Sequence, residues 1–380
     1  MTTVPYGAPE RSAMLLEELG DRLGIPLTAI AQLTRRCNLR CRHCFQADRS
    51  GPELSTGQWE SVFRRLADAG ILFLTVTGGE PVLRKDFLDL VRLARSMSFA
   101  VKIKTNGVLL DDELCNAIAE IAVFQVHFSF YSADPSVHDR VTGLAGSHAR
   151  TVRAARRLRD RGMHVLLNCP IQRDGFDGYG SVVDFAAAEK MDYLFDPGIQ
   201  VQEDGCAGPL SYRLTEEQVE RLFRDPRLVL LTAPVEASRK LHASVCRLGK
   251  AMVAVAPNGD VWPCLSLTEP IGNLLQSSLR DIWLDNARLE RFARLRWCDL
   301  PECRSCTYLP FCVRCHANAL HEDGDLLGPS RLACLGARVR ARLWAEAHPS
   351  GLAPADGSRR LASTGAAAGA AEGSQASTGR

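Results

Sequence analysis

Residues 55–80, STGQWESVFRRLADAGILFLTVTGGE, predict a helix that leads directly into a buried strand. Ser55 with Gln58 three residues later is the pattern of a helix start, and Gly70 is a typical residue just past a helix end. The apolar run Ile71–Val76 then has the length and composition of a strand covered on both faces. Since a helix followed by a buried strand is the repeating unit of parallel α/β folds, this stretch indicates the fold class.

The same unit recurs along the chain. Helices are predicted near 86–96, 111–121, 147–161 and 177–189, between strands near Leu27–Leu33, Ile71–Val76, Phe99–Ile103, Val123–Phe130, Met163–Asn168 and Met191–Phe195. Six strands, each followed by a helix, predict a parallel sheet with right-handed crossovers. Periodicity leaves open whether this α/β sheet is doubly wound or a barrel.

Composition excludes several classes of protein. The 380 residues are 46% hydrophobic and 24% charged, as in soluble globular proteins. A net charge of +2 gives no reason to expect a nucleic-acid partner. We expect no membrane partner either, because no run approaches the roughly 18–20 apolar residues of a membrane span. The amino terminus lacks the features of a secretory signal, so a cytoplasmic protein is predicted.

Pattern changes predict the domain boundaries. Residues 1–24 precede the first strand as an amino-terminal extension, and 25–225 form the barrel-like core. Residues 240–345 hold most of the 14 cysteines and predict a small metal-stapled α+β module. Residues 349–380, rich in Ala, Gly and Ser, predict a disordered tail.

Polar and glycine residues stand at the strand ends, where parallel α/β folds build their ligand sites. These residues are Gly78, Gly79, Glu80, Thr105, Asn106, Gly107, Ser129, Tyr131, Asn168 and Asp196. They predict one active face. The Asp196 carboxylate is a candidate catalytic group that binds substrate or takes a proton, and the alternative is a turn cap before Pro197.

Three cysteines follow the first strand with the spacing Cys37-x3-Cys41-x2-Cys44. Three thiolates so close together can hold three corners of a cubane iron–sulfur cluster and leave the fourth iron open to another ligand. The alternative is a zinc site with His43 as fourth ligand, which would have to bind from inside the same tight loop.

This cysteine pattern resembles the signature of the radical S-adenosylmethionine (SAM) enzymes, over roughly residues 25–200. The turn Gly78-Gly79-Glu80-Pro81 is similar to their GGEP motif, in which the amino group of SAM is bound. The resemblance implies a partial (β/α)6 barrel of the TIM type. It implies a 4Fe–4S cluster on Cys37, Cys41 and Cys44, and a SAM site formed by Thr77, Gly78, Gly79, Glu80, Pro81, Asn106 and Ser129. Such enzymes cleave SAM reductively to a 5'-deoxyadenosyl radical.

A second set of cysteines lies between Cys246 and Cys334, with two C-x2-C pairs at Cys303, Cys306, Cys312 and Cys315. Spacing alone leaves zinc and iron–sulfur equally open. The order resembles the SPASM extension of radical SAM enzymes, which implies two auxiliary iron–sulfur clusters. By that resemblance one is held by Cys303, Cys306, Cys312 and Cys334, and the other by Cys246, Cys264 and Cys315.

The pattern departs from SPASM in two ways. Two residues, rather than three, separate Cys312 from Cys315, and no cysteine lies between Cys246 and Cys264. The auxiliary cluster on Cys246, Cys264 and Cys315 is therefore left with an open position for Cys298, a carboxylate or a substrate group.

The resemblance implies an oxidoreductase that modifies a ribosomally made precursor peptide, by crosslinking or oxidation, as a peptide maturase does. A flavodoxin- or ferredoxin-type reductant is expected. A small peptide-binding partner protein is a further expectation, since about 25 residues before the first strand are too few for a peptide-recognition domain. The alternatives are a dehydrogenase or sulfatase-type activator acting on an alcohol, a sugar or a protein Ser or Cys, and a non-catalytic zinc-binding scaffold.

Overall fold

The computed structural model describes residues 15–16, 19–20, 25–228, 234–284 and 286–349. The predicted tail, apart from residue 349, and most of the predicted amino-terminal extension lie outside the described residues. None of the helices in these ranges is both long and apolar enough to cross a bilayer.

The first six strands form a parallel sheet in which every strand pairs with the next one in sequence. They are β1 (Thr28–Gln32), β2 (Phe73–Thr77), β3 (Ala100–Thr105), β4 (Gln125–Ser129), β5 (Val165–Pro170) and β6 (Asp192–Asp196). A doubly wound sheet would reverse its strand order partway. The sequential order therefore decides for the partial barrel, and the predicted fold class is confirmed.

Helices cover the outer face of this sheet. They are α1 (Thr56–Asp68), α2 (Phe87–Ser96), α3 (Asp112–Ile121), α4 (Pro135–Thr142), α5 (Ser147–Asp160) and α6 (Tyr179–Ala188). The capping box of Ser55 and Gln58 begins α1 as predicted. Helix α4 was not predicted; Asp134 caps it and Pro135 occupies its first turn.

The two faces of the sheet differ in polarity. On β3, Val101 and Ile103 are fully buried against the helices, among large side chains such as Trp59, Phe63 and Phe99. Because side chains alternate along a strand, Lys102 and Lys104 point to the inner face. This polar inner face leaves the barrel mouth free for a site.

The cysteine-rich region extends the same sheet, which the sequence did not predict. Strand β7 (Met252–Val255) pairs in parallel with β1, and β8 (Asp260–Trp262) and β9 (Gly272–Asn273) continue as antiparallel strands. Helix α7 (Glu216–Arg224) follows the barrel strands, and the helices of the cysteine-rich half are α8 (Ala237–Leu241), α9 (Leu279–Leu284), α10 (Ala287–Arg294), α11 (His316–Asp323) and α12 (Arg331–Ala347). The predicted units 25–225 and 240–345 thus share one sheet.

Two contacts fasten the second half over the barrel. Arg213, which follows the last barrel strand, forms an ion pair with Glu322 on α11, and the Glu322 side chain is only 3% exposed. Arg224 on α7 pairs with Glu346 on α12 at 2.7 Å. The cysteine-rich half is therefore held near the strand ends where the site was predicted.

Candidate active site

The glycine turn after β2 holds the loop that carries the first three cysteines. The Gly79 N–H donates to the Thr34 carbonyl and the Glu80 N–H to the Arg36 carbonyl, each at 2.8 Å. A Cβ on Gly78 would lie 2.5 Å from the Thr34 oxygen, and one on Gly79 would lie 2.2 Å from the Arg36 oxygen. The glycines are thus required by contact between two backbone segments, which sets the cysteine loop against the end of β2.

Glu80 connects the ends of two strands. Its carboxylate accepts hydrogen bonds from the Thr105 hydroxyl at 2.8 Å, the Asn106 N–H at 2.7 Å and the Val82 N–H at 3.2 Å. The residue is 1% exposed, and burial raises the pKa of Glu80 to about 7 against these hydrogen bonds. The structure therefore places this carboxylate behind the site wall, joining the turn after β2 to the end of β3.

Asn106 extends this connection to the cysteine loop. Its side-chain N–H donates to the Asn38 side-chain oxygen at 2.8 Å, and its own side-chain oxygen accepts from the Val108 N–H at 2.9 Å. Asn38 follows Cys37 directly. The amide of Asn106 is thus held by hydrogen bonds on both sides, and it orients the loop at its first cysteine.

A cavity of about 330 Å³ lies at this edge of the barrel. Its walls include most of the predicted site residues, namely Cys37, Cys41, Cys44, Thr77, Gly78, Gly79, Asn106, Ser129 and Asp196. Glu80 and Pro81 are buried next to it, at the turn. The structure therefore brings the predicted cysteine loop, SAM residues and Asp196 to one place.

Burial favours the protonated form of two thiols of this loop, those of Cys37 and Cys41. Burial raises the pKa of Cys37, and it raises the pKa of Cys41 to about 12 despite the Tyr131 hydroxyl 3.6 Å from its sulfur. Thiols ligate iron as thiolates, so binding must supply the charge that removes their protons. Within the described ranges, no three or more His, Cys, Asp or Glu side chains converge on a single metal ion. Three thiols spread over one cavity wall fit an iron–sulfur cluster.

His43 lies on the same wall. Its ring packs edge-on against Tyr131 with 5.0 Å between ring centroids, and its Nδ1 is 2.9 Å from the Gln172 side-chain nitrogen. Burial lowers the pKa of His43 to about 4, so the ring is neutral at physiological pH. The neutral Nδ1 accepts a hydrogen bond from the Gln172 side chain, and this bond positions the ring.

Asp196 forms the predicted turn cap and also lines the cavity. Its Oδ1 accepts a hydrogen bond from the Gly198 N–H at 2.8 Å. The side chain is exposed at the cavity wall, where desolvation by the surrounding protein raises the pKa of Asp196 against the Gly198 bond and the charge of Lys104. A carboxylate at the cavity wall with a raised pKa is suited to proton exchange.

The sequence did not point to several residues of the second half that close the cavity. Trp262, Leu265 and Thr268 line it from the segment after β7, and Glu203 lines it from the loop after β6. Glu203 pairs with Arg35 at 2.7 Å. The only signal for them was their nearness in sequence to Cys264 and to the end of β6.

The remaining seven predicted ligand cysteines fall into two groups in the structure. Cys246, Cys264 and Cys315 pack around one apolar cluster that contains Leu248, Leu267 and Phe292. Cys303 and Cys312 pack around another, with Trp297, Leu300 and Leu309. Burial raises the pKa of Cys312 to about 12, and the neighbouring Cys334, Cys303 and Cys306 contribute to the rise. The structure thus separates these cysteines by their packing, and their division into two ligand sets stays a prediction.

The structure does not favour Cys298 as a ligand of the first of these groups. Cys298 lies in a short 3-10 helix (Trp297–Asp299), and its sulfur is 3.8 Å from the Asp299 carboxylate. The adjacent Trp297 packs with Cys303 and Cys312. This segment thus lies beside the other cysteine group.

Comparison with known families agrees with this geometry. Residues 31–179 match the model of the radical SAM superfamily, and residues 246–307 match that of SPASM, an iron–sulfur cluster-binding domain. Residues 31–179 are thus similar to a radical SAM domain and residues 246–307 to a SPASM domain. A radical SAM domain implies a 4Fe–4S cluster and SAM at the first site, and a SPASM domain implies iron–sulfur binding.

Particular relatives are similar over most of the chain. The PqqA peptide cyclase of Rhodopseudomonas palustris is 28% identical, covering 90% of this chain and 96% of its own. That of Granulibacter bethesdensis is 26% identical over 80% of this chain and 87% of its own. Among solved structures, Streptococcus suis SuiB bound to its precursor peptide SuiA superposes with a TM-score of 0.66 at 18% identity, covering 88% of this chain and 82% of SuiB.

Proposed function

We propose that the protein is a radical SAM peptide maturase, an oxidoreductase that crosslinks or oxidises a ribosomally made precursor peptide in the cytoplasm. One observation carries the proposal. The three thiols of the cysteine loop, five of the seven predicted SAM residues and Asp196 line a single cavity, and residues of the SPASM half close it. The similarity to peptide cyclases over 90% of the chain supports a peptide as substrate.

A 4Fe–4S cluster held by Cys37, Cys41 and Cys44, with SAM beside it, would supply a 5'-deoxyadenosyl radical for hydrogen abstraction from the substrate. The chain holds and shields the place where this happens. The glycine turn and Asn106 set the cysteine loop, while Trp262 and Leu265 cover the cavity from the SPASM side and limit the entry of water. Asp196, on the same wall, would exchange a proton with the substrate.

The auxiliary cysteine groups lie in the half of the chain that covers the cavity. Cys246, Cys264 and Cys315 would hold one cluster, and Cys303, Cys306, Cys312 and Cys334 the other. These clusters would accept the electron that remains after a bond has formed. A flavodoxin- or ferredoxin-type protein is the expected reductant, and a small peptide-binding partner would deliver the precursor.

The test is anaerobic co-expression of the enzyme with any short peptide encoded beside its gene, followed by mass spectrometry of the peptide. We expect a loss of about two hydrogens that disappears in Cys37→Ala. Cys206→Ala is the matched control, because this cysteine is exposed and does not line the cavity.

The opposite result is equally clear. An unchanged peptide, although SAM is cleaved to 5'-deoxyadenosine, would contradict peptide maturation and support the alternative of an alcohol, sugar or protein Ser or Cys substrate. A purified protein that contains zinc in place of iron would support the scaffold alternative.

A further inference from the structure

Arg314 is a buried arginine in the two-residue link between Cys312 and Cys315. It is 3% exposed. Its guanidinium donates to the Leu326 carbonyl at 2.7 Å and to the Gly328 carbonyl at 3.0 Å, and a third nitrogen lies 2.7 Å from His316 Nδ1. None of these partners carries a negative charge, because two are backbone carbonyls and the third is an imidazole.

No carboxylate of the described residues pairs with this guanidinium. Burying a charge without an opposite charge is costly, because the protein interior solvates ions poorly. Hydrogen bonds to carbonyls reduce that cost but leave the charge uncompensated. Arg314 therefore points to an anionic group close by in the assembled protein.

The groups around Arg314 are the cysteines of both sets. Cys312 belongs to one set and Cys315 to the other, and the chain length between them limits their Cα separation to about 11 Å. Cys315 packs in one apolar cluster with Cys246 and Cys264, and Cys312 packs in another with Cys303. A cluster bound by thiolates carries net negative charge, which is the compensation that Arg314 lacks.

We propose that Arg314 is a positioning residue shared by the two auxiliary clusters, and that the positive charge of Arg314 raises the reduction potentials of both. The inference rests on the two ligand sets assigned above. A fixed positive charge favours the reduced state of a cluster, because reduction adds negative charge. Two further cations, Lys240 and Arg340, lie near Cys312 and so act mainly on the cluster that includes Cys312.

The test is a redox titration of the reconstituted full-length protein, followed by electron paramagnetic resonance. A unit charge acting over about 10 Å at an effective dielectric constant of about 20 changes an equilibrium constant roughly tenfold. Arg314→Gln should therefore lower both auxiliary midpoint potentials, each by about 59 mV for a one-electron couple. Arg340→Gln, the matched control, should lower the potential of the cluster on Cys312 more than that of the other.

Arg314→Lys separates charge from hydrogen bonding. It keeps the charge and loses the forked contact with two carbonyls, so both potentials should remain near those of the unmodified protein. The inference would be overturned if Arg314→Gln shifted neither potential or only one. It would also be overturned if Arg314→Lys shifted both potentials as far as Arg314→Gln does. If the glutamine variant does not take up about eight auxiliary irons, the lysine variant decides alone. Iron content is measured separately from the potentials. Absent clusters would refute the ligand assignment, whereas clusters that are present with unshifted potentials would refute the role of Arg314.

Discussion

Replacing Gly79 by alanine tests the contact between the glycine turn and the cysteine loop. The added Cβ would lie 2.2 Å from the Arg36 carbonyl oxygen and 2.7 Å from that of Arg35. Backbone oxygens cannot swing aside as the end of a side chain can, so the two segments must separate. Overpacking of this kind costs about 1–3 kcal/mol, and weakening the hydrogen bond from Gly79 to Thr34 adds about 1 kcal/mol. We expect a total loss of about 2–4 kcal/mol.

The assay is thermal unfolding of the protein before iron is added, followed by iron analysis after reconstitution. The melting temperature should fall by roughly 4–8 °C for each 2 kcal/mol lost from a unit of about 200 residues. Iron uptake should also fall, because the cysteine loop is displaced.

Gly57→Ala is the matched control for Gly79→Ala. A Cβ on Gly57 meets no atom within 4 Å, and the residue lies in the first turn of α1. Alanine there should be neutral or stabilising by up to about 1 kcal/mol. A Gly79→Ala protein with unchanged melting temperature and full iron content would refute the reasoning.

Three further predictions concern the carboxylate behind the site, the cysteine groups and the ion pair between the two halves. Burial raises the pKa of Glu80 from 4.5 to about 7, so the folded chain binds the carboxyl proton more tightly than the unfolded chain does. The resulting stabilisation of the folded state is complete below about pH 4.5 and is lost as the pH rises to 7. Glu80→Gln should therefore flatten the fall in melting temperature between pH 5 and 7, and an unchanged slope would exclude Glu80 as its source. Cys334→Ser and Cys246→Ser should each remove about four irons per chain, and about eight in combination. A single variant that loses about eight irons would contradict two separate ligand sets. Arg213→Ala should cost about 3–5 kcal/mol in denaturant unfolding, because it leaves Glu322 buried without its partner. The loss should shrink when Glu322 is also changed to Gln, and an equal loss in that background would argue against the ion pair.

Local signals accounted for much of the architecture. The capping box at Ser55 and Gln58 and the apolar run from Ile71 to Val76 act within a few residues of the chain. Their physical causes, helix capping and burial on both faces, need no distant partner. For this reason the six βα units and the cluster of site residues at their strand ends could be predicted.

Contacts between distant segments could not be predicted in this way. The pairing of β7 with β1 joins residues more than 200 positions apart, from Thr28 to Met252. From the sequence, Gly79 is expected to bind a ligand. The structure adds that its missing Cβ makes room for the Arg36 carbonyl. Likewise, Glu80 reads as a ligand for SAM, and its carboxylate is engaged by Thr105 and Asn106.

The sequence by itself determined the repeating unit and the cysteine spacings, because these depend on side-chain types at fixed separations. The family resemblance implied the barrel and the two sets of auxiliary cysteines. Tertiary structure decided the rest. Its sequential strand order decided between a barrel and a doubly wound sheet, which periodicity had left open. It also enclosed the site between two halves of the chain and placed Arg314 between two cysteine groups. The physical reason is that burial and electrostatic interaction depend on which surfaces meet in space, and a linear pattern does not contain that information.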